Sequence, residues 1–245
     1  KKIIDGSFKV LTNSDFSKNY LPNTDFNVDQ SKIISFPMVF LNSNSSEVDY
    51  YKLSKIINKN YIFYPTQPHP HKRLDLLIEA WIRLNNTLRS DLKEPISLVL
   101  TCGELDNDLL RKINKNKLIN ELFLFPSIND ASIRFLYEHA LCLSFTSELE
   151  GNFPTQLIEA FIYNCPIVCF DFPLLDESLT EIDKQNLLIS EFGDVNLYVM
   201  NLFKIINHRQ DVIDNQNKIR NKIIDKHSYL NFKKNIYKMH NKLII

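Results

Sequence analysis

The chain has 245 residues, enough for one large domain or a domain with an appendage and for a substantial core. Lys and Arg number 29, Asp and Glu 29, so no net charge points to nucleic acid, and no apolar run approaches the ~20 residues of a membrane span. Four cysteines, Cys102, Cys142, Cys165 and Cys169, fall in or beside apolar runs, as expected of buried thiols in a reducing, cytoplasmic compartment rather than of a disulfide framework.

The chain opens on Lys1-Lys2, with no Met and no signal-peptide pattern, and is expected to be a piece of a longer protein. Residues 1–60 mix Asn, Ser, Asp and Tyr with short apolar pieces at 8–11 and 32–37. They carry no sustained period, 42–46 reads as a loop, and the region does not look like a complete domain. From Tyr61 the pattern becomes regular. A strand over 61–64 is broken by Pro65, and after the loop TQPHPHKR a helix runs over 74–88 with Leu74, Leu77, Ile78, Trp81 and Leu84 on one side. Strands over 96–101, 122–125, 141–145, 166–170 and 186–190 then alternate with helices near 108–114, over 131–139 and from Pro154 to about 163. That alternation predicts an α/β fold, a doubly wound parallel sheet covered on both faces. The four glycines, Gly6, Gly103, Gly151 and Gly193, are each expected at a tight turn.

Beyond Gly193 the pattern is helical: Asp194 can cap a helix reaching about 207, followed by stretches over 211–226 and 229–243. The last sets Phe232, Ile236, Met239 and Leu243 beside Lys233, Lys234, Lys238 and Lys242. Such a basic amphipathic helix either lies on a membrane, here the inner face, or packs its apolar stripe on its own domain; the second is expected.

Residues 147–160, SELEGNFPTQLIEA, follow a strand and lead into a helix marked by Pro154. Loops at the carboxyl ends of parallel strands are where ligands sit, and a helix start there offers free N–H groups to an anion. Glu150 and Glu159 flank that start. Two carboxylates repel a phosphate, so they suit sugar hydroxyls on the same ligand, to which charge-assisted hydrogen bonds are strong. The bland alternative is a solvated loop residue and a helix-surface residue.

With these elements in place, the chain resembles the C-terminal, nucleotide-sugar-binding domain of GT-B retaining glycosyltransferases of family 4. The resemblance covers about 61–190 and rests on PHKRLDLLIEAW, on ISLVLTCG, on the block from INDASIRF through SELEGNFPTQLIEA to PIVCFD, and on DFPLLDE. It implies a Rossmann-like domain over 61–207, with 208–245 as C-terminal helices packing on it and 1–60 as the end of an N-terminal acceptor domain plus linker. It implies transfer, with retention and without a metal or other cofactor, of a sugar from a nucleoside-diphosphate donor to a glycan or lipid-linked saccharide. Lys72 would bind the donor diphosphate, Glu150 the hydroxyls of the transferred sugar and Glu159 those of the ribose. Amides at Gly151, Asn152 and Phe153 would complete the anion cradle, and Glu177 is a further candidate for the nucleotide. The chain alone is expected to bind donor and to transfer sugar poorly.

Two departures stand out. Residues 151–158 put eight positions between the glutamates where the family has seven, an insertion before Pro154 that leaves the helix phase intact. Five positions before Lys72 the family has Arg, and this chain has Gln67, which brings no charge; Arg73 is the nearest substitute. Gln67 supports an alternative, a nucleotide-sugar-binding module without turnover. Paired carboxylates also serve glycosidases, but Lys72 beside them fits a phosphate-bearing donor better. His69-Pro70-His71 has no evident third metal ligand, and His71 is expected to help hold the Lys72 loop. Asp106-Asn107-Asp108 reads as a helix N-cap. No P-loop, Gly-x-Gly-x-x-Gly or nucleophile elbow occurs.

Overall fold

The computed structural model describes residues 7, 9–24, 28–35 and 47–243, so the loop read at 42–46 and Gly6 lie outside the described residues. The apolar pieces of the first 60 residues become β1 (Val10–Thr12) and β2 (Ile33–Ser35), a parallel pair with α1 (Asp15–Tyr20) between them; α2 (Tyr50–Leu53) follows. These elements are three to six residues long, below the length at which a period is readable.

The main sheet is built from β3 (Tyr61–Tyr64), β4 (Ser97–Leu100), β5 (Leu122–Leu124), β6 (Cys142–Phe145), β7 (Ile167–Phe170) and β8 (Leu188–Ser190). All pair in parallel in the order β5-β4-β3-β6-β7-β8, the predicted doubly wound sheet. Helices α3 (Leu74–Ser90), α4 (Asn107–Lys115), α5 (Asp130–His139) and α6 (Thr155–Ile162) connect the strands, with short α7 (Leu175–Ser178) and α8 (Glu181–Lys184) before β8. Every residue of β3, β4, β6 and β7 is buried, which is why these strands read as unbroken apolar runs. Trp81 of α3 is fully buried, its Nε1 donating to Ile96 O at 2.7 Å.

Asp194 caps α9 (Val195–Lys226), its side chain accepting from Leu197 N. α9 holds the two helical stretches expected over 195–226, joined across His208, whose backbone is not helical (φ −139°, ψ 40°), and its far half packs on the domain through Ile213, Ile219 and Ile223. α10 (Tyr229–Leu243) departs from expectation. Beyond the break at His227 and Ser228 no side chain over 229–238 is buried, and Ile236 and Tyr237 are 39% and 60% exposed. Among the described glycines only Gly193 takes a left-handed backbone (φ +85°), where it turns the chain into α9; Gly103 and Gly151 do not. All four cysteines are buried and unpaired with one another. No helix among the described residues is long and apolar enough to cross a membrane.

Candidate active site

β3 and β6 are neighbours, but the chain leaves β3 toward β4 and leaves β6 toward β7, so their carboxyl-end loops diverge around a crevice. The loop after β3 ends in a 3₁₀ turn, Pro70–Lys72, and Arg73 then adopts a left-handed conformation (φ +48°, ψ +48°) to start α3. Three bonds sew this turn to the loop after β6. Glu148 N donates to His71 O at 2.8 Å, Ser147 Oγ to His71 O at 3.2 Å, and Thr146 Oγ1 to Lys72 O at 2.8 Å. His71 thus holds the loop as expected, through its carbonyl.

With its backbone fixed, Lys72 places Nζ 2.5 Å from Glu150 Oε1, and the two side chains are only 10% and 14% exposed. Neither charge is stable at that depth without a partner, so each keeps the other in place. An ammonium has three donors, so two remain for a ligand. Beneath the pair, Tyr64 is fully buried with no hydrogen-bond partner for its hydroxyl among the described residues, and burial and the Glu150 charge push its ionisation far up.

Glu159 stands on the opposite wall, on the second turn of α6. Burial raises its pKa, a hydrogen bond from Tyr137 opposes the rise, and the charge of Asp130 adds to it. Between the walls lies a cavity of about 370 Å³, lined by Thr66, Gln67, His69 and Lys72 on one side, by Thr155, Gln156 and Glu159 on the other, and closed by Thr101 and Ile133. Gln156 Nε2 donates to Pro65 O at 3.3 Å and ties the walls together.

The loop from Glu150 to Phe153 is held from outside. Ser14 Oγ and Ser17 Oγ both donate to Gly151 O at 2.9 Å, and Phe153 is buried with its ring stacked on buried His227 at 4.9 Å. Among the described residues no protein acceptor takes the amides of Gly151, Asn152 or Phe153. Pro154 stands at the N-cap of α6, and Thr155 and Gln156 of its first turn line the cavity.

The structure therefore brings Lys72, Gln67 and Glu159 to one cavity, with Glu150 joined to it through its ion pair with Lys72. Glu177 does not join them: its carboxylate accepts from Asp15 N at 3.2 Å and from Phe16 N, capping α1. Arg73 is no substitute cation, being tied to Asp75 at 2.9 Å and Glu148 at 3.3 Å with its guanidinium over the Phe192 ring. Asp106 caps α4, accepting from Asp108 N at 2.7 Å, and the His69 and His71 rings stack at 5.7 Å. Sequence reasoning missed Tyr137 and Tyr64, since an aromatic at helix or strand spacing reads as core; the only clue was that a buried hydroxyl needs a partner.

An open parallel sheet in this strand order, with a charged crevice at its switch point, defines a Rossmann-like domain. Residues 50–238 match the family of glycosyl transferases group 1, and the chain belongs to that family. It is 27% identical over 173 residues to the O-antigen chain mannosyltransferase RfbU of Salmonella typhimurium, covering 70% of this chain and 44% of RfbU. A mutant of S. aureus TarM, solved with fondaparinux, α-GlcNAc-glycerol and UDP, superposes with a TM-score of 0.73 at 18% identity, over 97% of this chain and 45% of TarM. Anabaena HepE, solved with UDP-glucose, gives 0.72 at 16% identity, over 96% of this chain and 64% of HepE. The chain spans less than half the length of the curated relative it matches.

Proposed function

We propose that this chain is the donor-binding part of a glycosyltransferase that moves a sugar from a nucleoside diphosphate to a glycan or lipid-linked saccharide, with retention and without a metal. The observation that carries the reading is the Lys72–Glu150 ion pair, with Lys72 and Glu159 lining one cavity together with Thr155 and Gln156 at the start of α6. The diphosphate sits against Lys72 and the 151–153 amides, the transferred sugar donates its hydroxyls to Glu150, and the ribose donates to Glu159. When the bond from the sugar's anomeric carbon to the diphosphate oxygen breaks, its electron pair leaves with the diphosphate. Lys72 and the amides meet that growing negative charge, and the carboxylate of Glu150 lies near the positive charge developing on the sugar. The acceptor oxygen then bonds to the anomeric carbon and gives up its proton to the departing diphosphate oxygen. RfbU is a mannosyltransferase and HepE is solved with UDP-glucose, which supports a nucleotide sugar as donor. In this reading residues 1–60 are the end of a preceding acceptor domain plus the linker, and the separate β1–β2 sheet supports it.

Calorimetric titration with UDP, GDP and ADP tests the reading. One of the three is expected to bind in the micromolar-to-millimolar range, and Lys72→Ala and Glu159→Ala each weaken it by about 1.5–3 kcal/mol, the worth of a charged hydrogen bond. No binding of any nucleotide by the folded chain contradicts the reading.

A further inference from the structure

Tyr137 lies on α5, fully buried, with its ring fixed edge-on to Phe63 at 5.0 Å and against Tyr163 at 5.7 Å. Its hydroxyl is 2.7 Å from Glu159 Oε2 and 3.2 Å from Gln156 O. A phenol has one proton, and the nearer, charged carboxylate is the stronger acceptor, so the proton goes to Glu159. The other carboxylate oxygen accepts no hydrogen bond from the described residues, and Glu159 lines the 370 Å³ cavity. A free Glu side chain samples many rotamers, and ordering it on ligand binding costs affinity.

We propose that Tyr137 is a positioning residue that holds the Glu159 carboxylate by one oxygen and presents the other to the cavity for the ligand's hydroxyls. The inference rests on the reading that Glu159 takes the ribose. The groups facing Glu159 are Tyr137 and Asp130 from α5, Tyr163 at the end of α6 with Arg134 over its ring at 5.8 Å, and His69 and Lys72 across the cavity. Burial pushes Glu159 toward its neutral form and the Tyr137 bond pulls it back. Affinity that needs the carboxylate is present above its pKa and is lost as pH falls through it. Removing the Tyr137 hydroxyl moves that loss to higher pH.

The experiment titrates the 245-residue chain with UDP, GDP and ADP across pH. Tyr137→Phe is expected to weaken the nucleotide that binds about ten-fold at neutral pH and to shift the acid limb upward. In a Glu159→Ala background the same change alters affinity less than about two-fold and leaves the pH profile unmoved. Tyr137→3-fluorotyrosine, a better donor of the same shape, shifts the limb downward and guards against a Phe variant that fails to fold. Equal weakening with and without Glu159, or a limb that neither variant moves, overturns the inference and leaves the donor reading standing. Unchanged affinity in Glu159→Ala alone, or no binding of any nucleotide, overturns the ribose assignment and the inference with it.

Discussion

Two pairs of parallel strands meet different fates in this molecule. In β3 and β6 every residue is buried, and the pair sits mid-sheet between helical layers. In β1 and β2 only Thr12 and Ile33 are buried, and Leu11 is 57% exposed. The first pair is held by apolar area. An isolated two-stranded pair is marginal in water, and what fastens the second to the rest is Phe16, packed against the edge of the core, with a set of polar contacts: Ser14 and Ser17 on Gly151, and the amides of Asp15 and Phe16 on Glu177. Stability is therefore concentrated in the sheet. The N-terminal segment is fastened to the very loop that carries Glu150, so it acts on the geometry of the site more than on the survival of the fold.

The comparison breaks most easily at Trp81. Its side chain fills the layer between α3 and the sheet, and Ile96 O, its acceptor, also takes Asn85 Nδ2 at 3.1 Å. Trp81→Ala is expected to cost about 3–5 kcal/mol in urea unfolding, mostly as cavity and lost burial. Leu11→Ala in the exposed pair should stay within about 0.5 kcal/mol. Similar losses at the two positions would mean that the N-terminal pair belongs to the same cooperative core.

A smaller effect sharpens the polar side. Glu177→Ala removes the acceptor for the first two amides of α1 and is expected to lower the local opening free energy there by about 1–2 kcal/mol. Hydrogen exchange would report this as roughly ten-fold faster exchange or more at Asp15 and Phe16, with the β3 and β6 amides unchanged. Acceleration that spreads into the sheet would remove the distinction between the two pairs.

What the sequence made legible follows the same division. The four inner strands were readable because burial on both faces writes an unbroken apolar run, the half-buried edge strands β5 and β8 because they keep short apolar runs, and the 150–159 stretch because Pro154 and two carboxylates mark a helix start after such a run. The kink at His208 was placed by the end of one helical stretch and the start of the next. Contacts between distant residues left no local mark. Glu177 looks like any loop carboxylate until α1, more than 150 positions earlier, supplies two amides to it. Lys72 carries no sign of its burial, which arises only when the β3 loop is sewn to the β6 loop. Tyr137 fits the apolar face of its helix so well that its hydroxyl went unread.

The smallest effect is expected at the far end of the chain. Ile223 and His227 are buried at the end of α9, whereas two residues later Tyr229 is 59% exposed and Leu230 is 62% exposed. Tyr229, Leu230, Ile236 and Tyr237 therefore add little to the stability of the chain, because area that stays wet contributes nothing on folding. Ile236→Ala and Tyr237→Ala are each expected to leave the urea midpoint within about 0.5 kcal/mol of the parent, with helix propensity slightly favouring Ala. A loss of ~2 kcal/mol in the isolated chain would show that this face is covered in solution, and α10 would then have to be counted with the sheet rather than with the exposed N-terminal pair.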